Sequence, residues 1–105
     1  MTDARIIEEL ARIELEEARK KNLPFQTDHE AYAVILEEVQ ETEEELEKVK
    51  AHLNAIWGRI RKDEDITEYL TFAERNAIGI AQEAIQVVAM CKKTKEMRLP
   101  REGEV

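Results

Sequence analysis

Residues 37 to 47 read Glu-Glu-Val-Gln-Glu-Thr-Glu-Glu-Glu-Leu-Glu, with seven glutamates. A sparser polar set, Gln82, Glu83 and Gln86, interrupts the apolar stretch from Ala77 to Cys91, and Glu83 is the only charge there. A carboxylate buried without a partner costs several kcal/mol, so it must protonate, pair with a cation or bind a metal ion. No Lys or Arg lies in that stretch to pair with Glu83. Carboxylates from two places in the chain can together hold a hard divalent cation, Mg²⁺ or Mn²⁺, which keeps waters and takes phosphate oxygens as further ligands. Each set also has a plainer reading: a glutamate run is a solvated helix face, and Glu83 with Gln86 is a satisfied polar spot on a half-buried helix.

Three helices would have to position these groups. Helix 1 runs from about Asp3 to Lys21, with Ile6, Leu10 and Ile13 as its stripe and Ile7, Ala11 and Ala18 beside it. Asn22 and Pro24 stop it, and Thr27 three residues before Glu30 is a capping-box start for the next helix. Helix 2, from Asp28 to Lys62, carries a seam in steps of three and four: Tyr32, Ile35, Val39, Thr42, Leu46, Val49, Leu53, Ile56 and Ile60. Residues 61 to 65 form the turn, and Asp65 or Thr67 caps helix 3. Helix 3 reaches about Met97, with Ile66, Leu70, Ala73, Ala77, Ile80, Ala84, Val87 and Cys91 as its seam. This predicts one all-α domain over residues 1–97, an antiparallel helical bundle, with a flexible tail over 98–105.

Helix geometry sorts the glutamates. At 100° per residue, Glu38 lies about 60° from the centre of the helix 2 seam, Glu41 about 120°, and Glu44 nearly opposite. Glu38 and Glu41 therefore border the core, while Glu44 and Glu47 point to water. In an antiparallel hairpin turning near residue 62, Glu41 comes level with Glu83, and Glu38 with Gln86. Three carboxylates and one amide can thus converge between helices 2 and 3.

Composition narrows the class. The 105 residues suffice for one small domain. Aromatics are 5% of the chain and Gly and Pro are few, which argues against an all-β fold. The formal net charge of −8 argues against a nonspecific binder of nucleic acid or membrane surface, since both need clustered Lys and Arg. The lone cysteine, Cys91, sits in an apolar run and reads as a buried, inert thiol in a reducing compartment. No apolar stretch is long enough to span a membrane, and the N-terminus turns charged at once, so a cytoplasmic location is expected. There is no Gly-rich phosphate loop, zinc pattern or Ser-His-Asp grouping, so any phosphate chemistry runs through carboxylate-held metal.

The segment Glu37-Glu38-Val39-Gln40-Glu41, followed by Glu83-Ala84-Ile85-Gln86, resembles the two-part signature of the MazG-like all-α NTP pyrophosphohydrolase superfamily. The lead-in from His29 to Leu36 and the stretch from Gln86 to Met90 are similar to short MazG-like proteins of phages and bacteria, and the resemblance covers roughly residues 22 to 93. It implies a helical-bundle dimer or tetramer in the cytoplasm. It also implies Mg²⁺- or Mn²⁺-dependent hydrolysis of a nucleoside triphosphate to monophosphate and pyrophosphate. The metal ligands it implies are Glu38, Glu41, Glu83 and Gln86, with Glu37 as a spare carboxylate to orient water. Gln86 departs from the signature, which has aspartate there, and an amide oxygen is a neutral, weaker ligand. The other reading is therefore a non-catalytic helical relative that binds nucleotide or another protein.

Other residues have ordinary roles on this reading. His29 and His52 read as solvated, and Trp57 and Tyr69 as packing at the hairpin turn. Asn76 could line a base pocket. Arg19, Lys20 and Lys21 complement the helix 1 dipole and could meet phosphates. Helix 3 is apolar almost all round between Ala77 and Cys91, more than two neighbouring helices can cover. This predicts a homo-oligomer with helix 3 at its centre.

Overall fold

The computed structural model describes residues 3–97. Among them are three α-helices and no strand: α1 over Ala4–Lys21, α2 over Asp28–Arg61 and α3 over Thr67–Glu96. The tail expected to fray, from Pro100 onward, lies outside the described residues. No helix among the described residues is long and apolar enough to cross a membrane.

Local chemistry sets the helix ends. Asp3 caps α1, its carboxylate accepting from the Arg5 N–H at 2.8 Å. Asn22 closes that helix, donating its N–H to the Ala18 carbonyl at 2.9 Å. At the start of α2 the Thr27 hydroxyl accepts from the Glu30 N–H at 3.1 Å. The Glu30 carboxylate reaches back to the Gln26 N–H, also at 3.1 Å, one residue before the position a capping box ordinarily reaches. The α2 end is a Schellman turn: Glu64 N–H donates to Arg59 and Asp63 N–H to Ile60, with Asp63 in the left-handed region at φ 56°. Neither cap expected for α3 takes that form. Thr67 is the first helical residue and its hydroxyl donates to the Asp65 carboxylate at 2.9 Å.

Contacts divide the chain into two compact groups. The first contains α1, α2 as far as Glu38, and α3 from Ile85. Its core is Leu15, Phe25, Ala31, Ala89 and Met90, with Ala18, Val34, Ile35 and Met97 packed against it. Full burial of a side chain such as Leu15 or Met90 stabilises by about 1.5–3 kcal/mol. Gln86 donates to Glu14 at 2.6 Å, and Arg19 pairs with Glu96. The second group, Val39–Ala84, is a helical hairpin. Its buried apolar residue is Ile56, and the His52, Tyr69 and Phe72 rings pack together with centroids 5.5–6.3 Å apart.

The apolar seams read from the sequence are split. On α2, Ile35, Thr42, Val49 and Ile56 are half-buried or buried, whereas Tyr32, Leu46, Leu53 and Ile60 are exposed. Just before and along α3, Ile66, Ala73, Ile80 and Val87 are half-buried, whereas Leu70, Ala77, Ala84 and Cys91 are exposed. Cys91 is therefore not the buried thiol its apolar surroundings suggest. On α1 the covered stripe is Ile7, Ala11, Glu14, Leu15 and Ala18, and the expected stripe of Ile6, Leu10 and Ile13 is exposed. The small Ala11, fully covered, lets α1 sit close to its neighbours, and the bulkier residues are turned outward.

Candidate functional site

Alternate members of each seam face outward because a polar stripe takes their place. Glu45, His52 and Arg59 on α2, and Asn76 and Glu83 on α3, are half-buried. These groups form two clusters within the hairpin.

The first cluster is Glu41 with Glu83. Both side chains are half-buried, and they offer carboxylate oxygens within 4.8 Å of one another. A hydrogen bond that the protonated Glu41 donates to the Glu83 carboxylate, reinforced by repulsion from the Glu83 charge, holds the Glu41 carboxyl above the usual glutamate range. Burial and the nearby Glu44 push it the same way. Two carboxylates this close cannot both ionise cheaply; they share a proton or take a cation between them. The pairing of Glu41 with Glu83 is the one the antiparallel register predicts. Glu38 is half-buried one turn earlier on α2, while Glu44 and Glu47 are exposed as the helix angles require.

One turn further along α2, Glu45 is held differently. Its carboxylate accepts from the Asn76 side-chain amide at 2.8 Å and from the Lys48 ammonium at 3.0 Å. These donors, Asn76 first, hold its carboxyl below the usual range. The Asn76 carbonyl oxygen lies 3.0 Å from His52 Nε2, so the network runs Lys48–Glu45–Asn76–His52. Gly79 leaves room for it: a Cβ there would stand 3.3 Å from the Glu45 carboxylate oxygen. His52 is thus a half-buried, hydrogen-bonded ring rather than a solvated one, and Asn76 fixes a carboxylate rather than lining an open pocket.

In the first group, Glu38 and Gln86 line one cavity of about 500 Å³, with Val34, Met90 and Lys93 also on its walls. Gln86 is half-buried, with its side-chain amide directed at Glu14. Glu37 and His29 are exposed. Trp57 is 59% exposed, while Tyr69 carries the Arg59 guanidinium 4.9 Å from its ring centre.

Sequence reasoning alone does not single out Glu14, Glu45 or Lys93. Glu14 lies between Ala11 and Ala18 on the stripe of small residues, which is its only signal. Glu45 is hidden in the glutamate run, and its partner Asn76 shows no pattern in the sequence.

No family model, curated protein or solved structure matches this chain.

Proposed function

We propose that the chain is a metal-dependent nucleoside triphosphate pyrophosphohydrolase of the MazG-like kind, in which Glu41 and Glu83 hold a divalent cation, with Glu38 as the further carboxylate ligand that the resemblance implies. The observation that carries this reading is the Glu41–Glu83 pair, two carboxylates turned toward each other from facing helices. An all-oxygen, anionic donor set suits Mg²⁺ or Mn²⁺ and is a poor match for soft metals. When bound, the cation neutralises phosphate charge and lowers the pKa of a coordinated water. Water then adds to phosphorus as a phosphoanhydride bond breaks, giving monophosphate and pyrophosphate. Gln86, one turn after Glu83 on α3, offers an amide oxygen as a weaker fourth ligand. Glu37, exposed on α2, is the spare carboxylate for orienting water.

The test is release of pyrophosphate across a panel of ordinary and modified nucleoside triphosphates with Mg²⁺ and with Mn²⁺. Turnover of at least one substrate, lost in Glu38→Ala and Glu83→Ala, is the expected outcome. No turnover on any of them overturns the reading.

The Gln86–Glu14 hydrogen bond favours the second reading, a non-catalytic relative, because it engages the amide that replaces the signature aspartate. A folded protein whose thermal stability ignores millimolar Mg²⁺ and Mn²⁺ would select that reading.

We also propose that the chain forms a homo-oligomer of even copy number. Leu46, Leu53, Trp57 and Ile60 form one exposed apolar stripe on α2, and Ile6, Leu10 and Ile13 another on α1. Monomers rarely leave such rows open, and an identical chain offers a matching surface across a two-fold axis. Sedimentation equilibrium should give a multiple of 12.2 kDa; a folded monomer at micromolar concentration would refute this.

A further inference from the structure

Lys93 is a lysine on the last turns of α3 that is only 6% exposed. Its ammonium lies 4.2 Å from the centre of the Phe25 ring, itself buried in the core. The Lys93 stem is covered, while its ammonium is not sealed in an apolar wall and faces cavity space; the aromatic face compensates its charge only in part. No carboxylate among the described residues forms an ion pair with it. Three carboxylates share cavity walls with it: Glu96 holds the Arg19 guanidinium, with Nε donating at 3.3 Å, Glu30 accepts from the Gln26 backbone, and Glu38 lies on the wall beside Gln86. Lys93 instead lines two cavities, of about 560 and 500 Å³, that share Asn22 and Phe25 as walls. That size is typical of small-ligand sites, which run from roughly 300 to 1,000 Å³.

We propose that the Lys93–Phe25 cavity is an anion site that takes the phosphate oxygens of a small phosphorylated ligand, with the Lys93 ammonium as its anchor. The Phe25 ring fixes the ammonium in place before the ligand arrives, which reduces the ordering cost of binding. Lys21 and the Asn22 side-chain amide, both on the walls, supply further donors. A phosphoryl group presents several oxygens to such a set, and a lysine meets it as a compact point charge. The site uses no cation and no part of the Glu41–Glu83 pair, and shares only Glu38, on its wall, with the proposed metal set.

Calorimetric titration in EDTA tests this with three probes: inorganic phosphate, inorganic pyrophosphate and a nucleoside triphosphate carrying a methylene group in place of its α,β bridging oxygen. Binding of at least one is expected, weakened tenfold or more in Lys93→Met, less than threefold in Lys93→Arg, and unchanged in Glu83→Gln. Binding of either inorganic ion shows that phosphate alone suffices; binding of the nucleotide analogue alone shows that the phosphate must come on a nucleotide. In the wild-type protein, the bound probe should slow acetylation of Lys93 at least fivefold relative to Lys92 and Lys95, a readout that does not depend on the variant folding. The inference is overturned if no probe binds at millimolar concentration, if Lys93→Met binds as tightly as wild type, or if Lys93 is not protected. Metal binding without probe binding would sink this site and leave the carboxylate reading standing, and the reverse result would do the opposite.

Discussion

Glu41 and Glu45 are one helical turn apart on α2, and both meet α3, yet the two carboxylates are held in opposite ways. Glu45 faces an amide and an ammonium that favour its charge, while Glu41 faces another carboxylate that opposes it. The first is a completed structural contact. The second sets two like charges against each other, and groups perturbed in that way are where function concentrates. Counting glutamates in the run cannot separate these cases; the residue facing each one across the hairpin does.

The sharpest way to break the comparison is turnover. Glu41→Gln and Glu83→Gln should each lower Mg²⁺-dependent pyrophosphate release by roughly a hundredfold or more, as expected when a metal ligand loses its charge. Asn76→Ala, which strips Glu45 of its amide, should leave turnover within about threefold. Equal losses in all three, measured as kcat/KM, would erase the distinction.

Cation binding comes next. On the proposed metal reading, saturating Mg²⁺ or Mn²⁺ should raise the unfolding midpoint of the wild-type protein by roughly 5–10 °C, since a ligand that binds only the native state raises its stability. The same ions should leave Glu83→Gln unmoved in differential scanning fluorimetry.

Without metal, the two clusters should respond to pH with opposite sign. Glu41 is raised in the folded protein, so its contribution is present below the usual glutamate value of 4.5 and is lost as pH rises through the raised value. Glu45 is lowered, so its contribution is present above 4.5 and is lost as pH falls through the depressed value. In EDTA, Glu83→Gln should therefore gain stability relative to wild type as pH is raised from about 4 to 7. Asn76→Ala should lose relative stability over the same interval. Midpoints of thermal unfolding at several pH values read both trends.

The smallest effect separates two glycines. Gly58 has open space where a methyl group would stand, and replacing it with alanine inside α2 should stabilise by about 0.5–1 kcal/mol. Gly79→Ala brings the same helical gain but presses on the Glu45 carboxylate, so it should stabilise less than Gly58→Ala. Urea unfolding of the two variants side by side checks the order.

The helices and their ends are legible in the sequence because caps and stops are local: Asp3, Thr27 with Glu30, and Asn22 act within a turn of themselves. The register is legible too, since a short turn fixes which residues face each other in a hairpin, and it places Glu41 opposite Glu83. Helix rotation is not. A seam in steps of three and four has polar positions on one flank, and hydrophobicity alone chooses the apolar flank as the inside. Here Glu45, His52, Asn76 and Glu83 take the inner side and Leu46, Leu53 and Leu70 the outer. Cys91 is exposed against expectation for the same reason. Lys93 gives no signal, because nothing in its neighbours along the chain announces the Phe25 ring that covers it.

The hydrogen bonds also differ in how much chain they close. The His52–Asn76 contact spans 24 positions and Glu45–Asn76 spans 31, whereas Glu14–Gln86 spans 72 and Arg19–Glu96 spans 77. Closing a loop three times longer costs about 1 kcal/mol more in chain entropy. The hairpin with its carboxylate pair is thus the part that can assemble early, from neighbours in sequence. The Leu15–Met90 core closes only when α1 meets the far end of the chain, and contacts of that separation are slow to form.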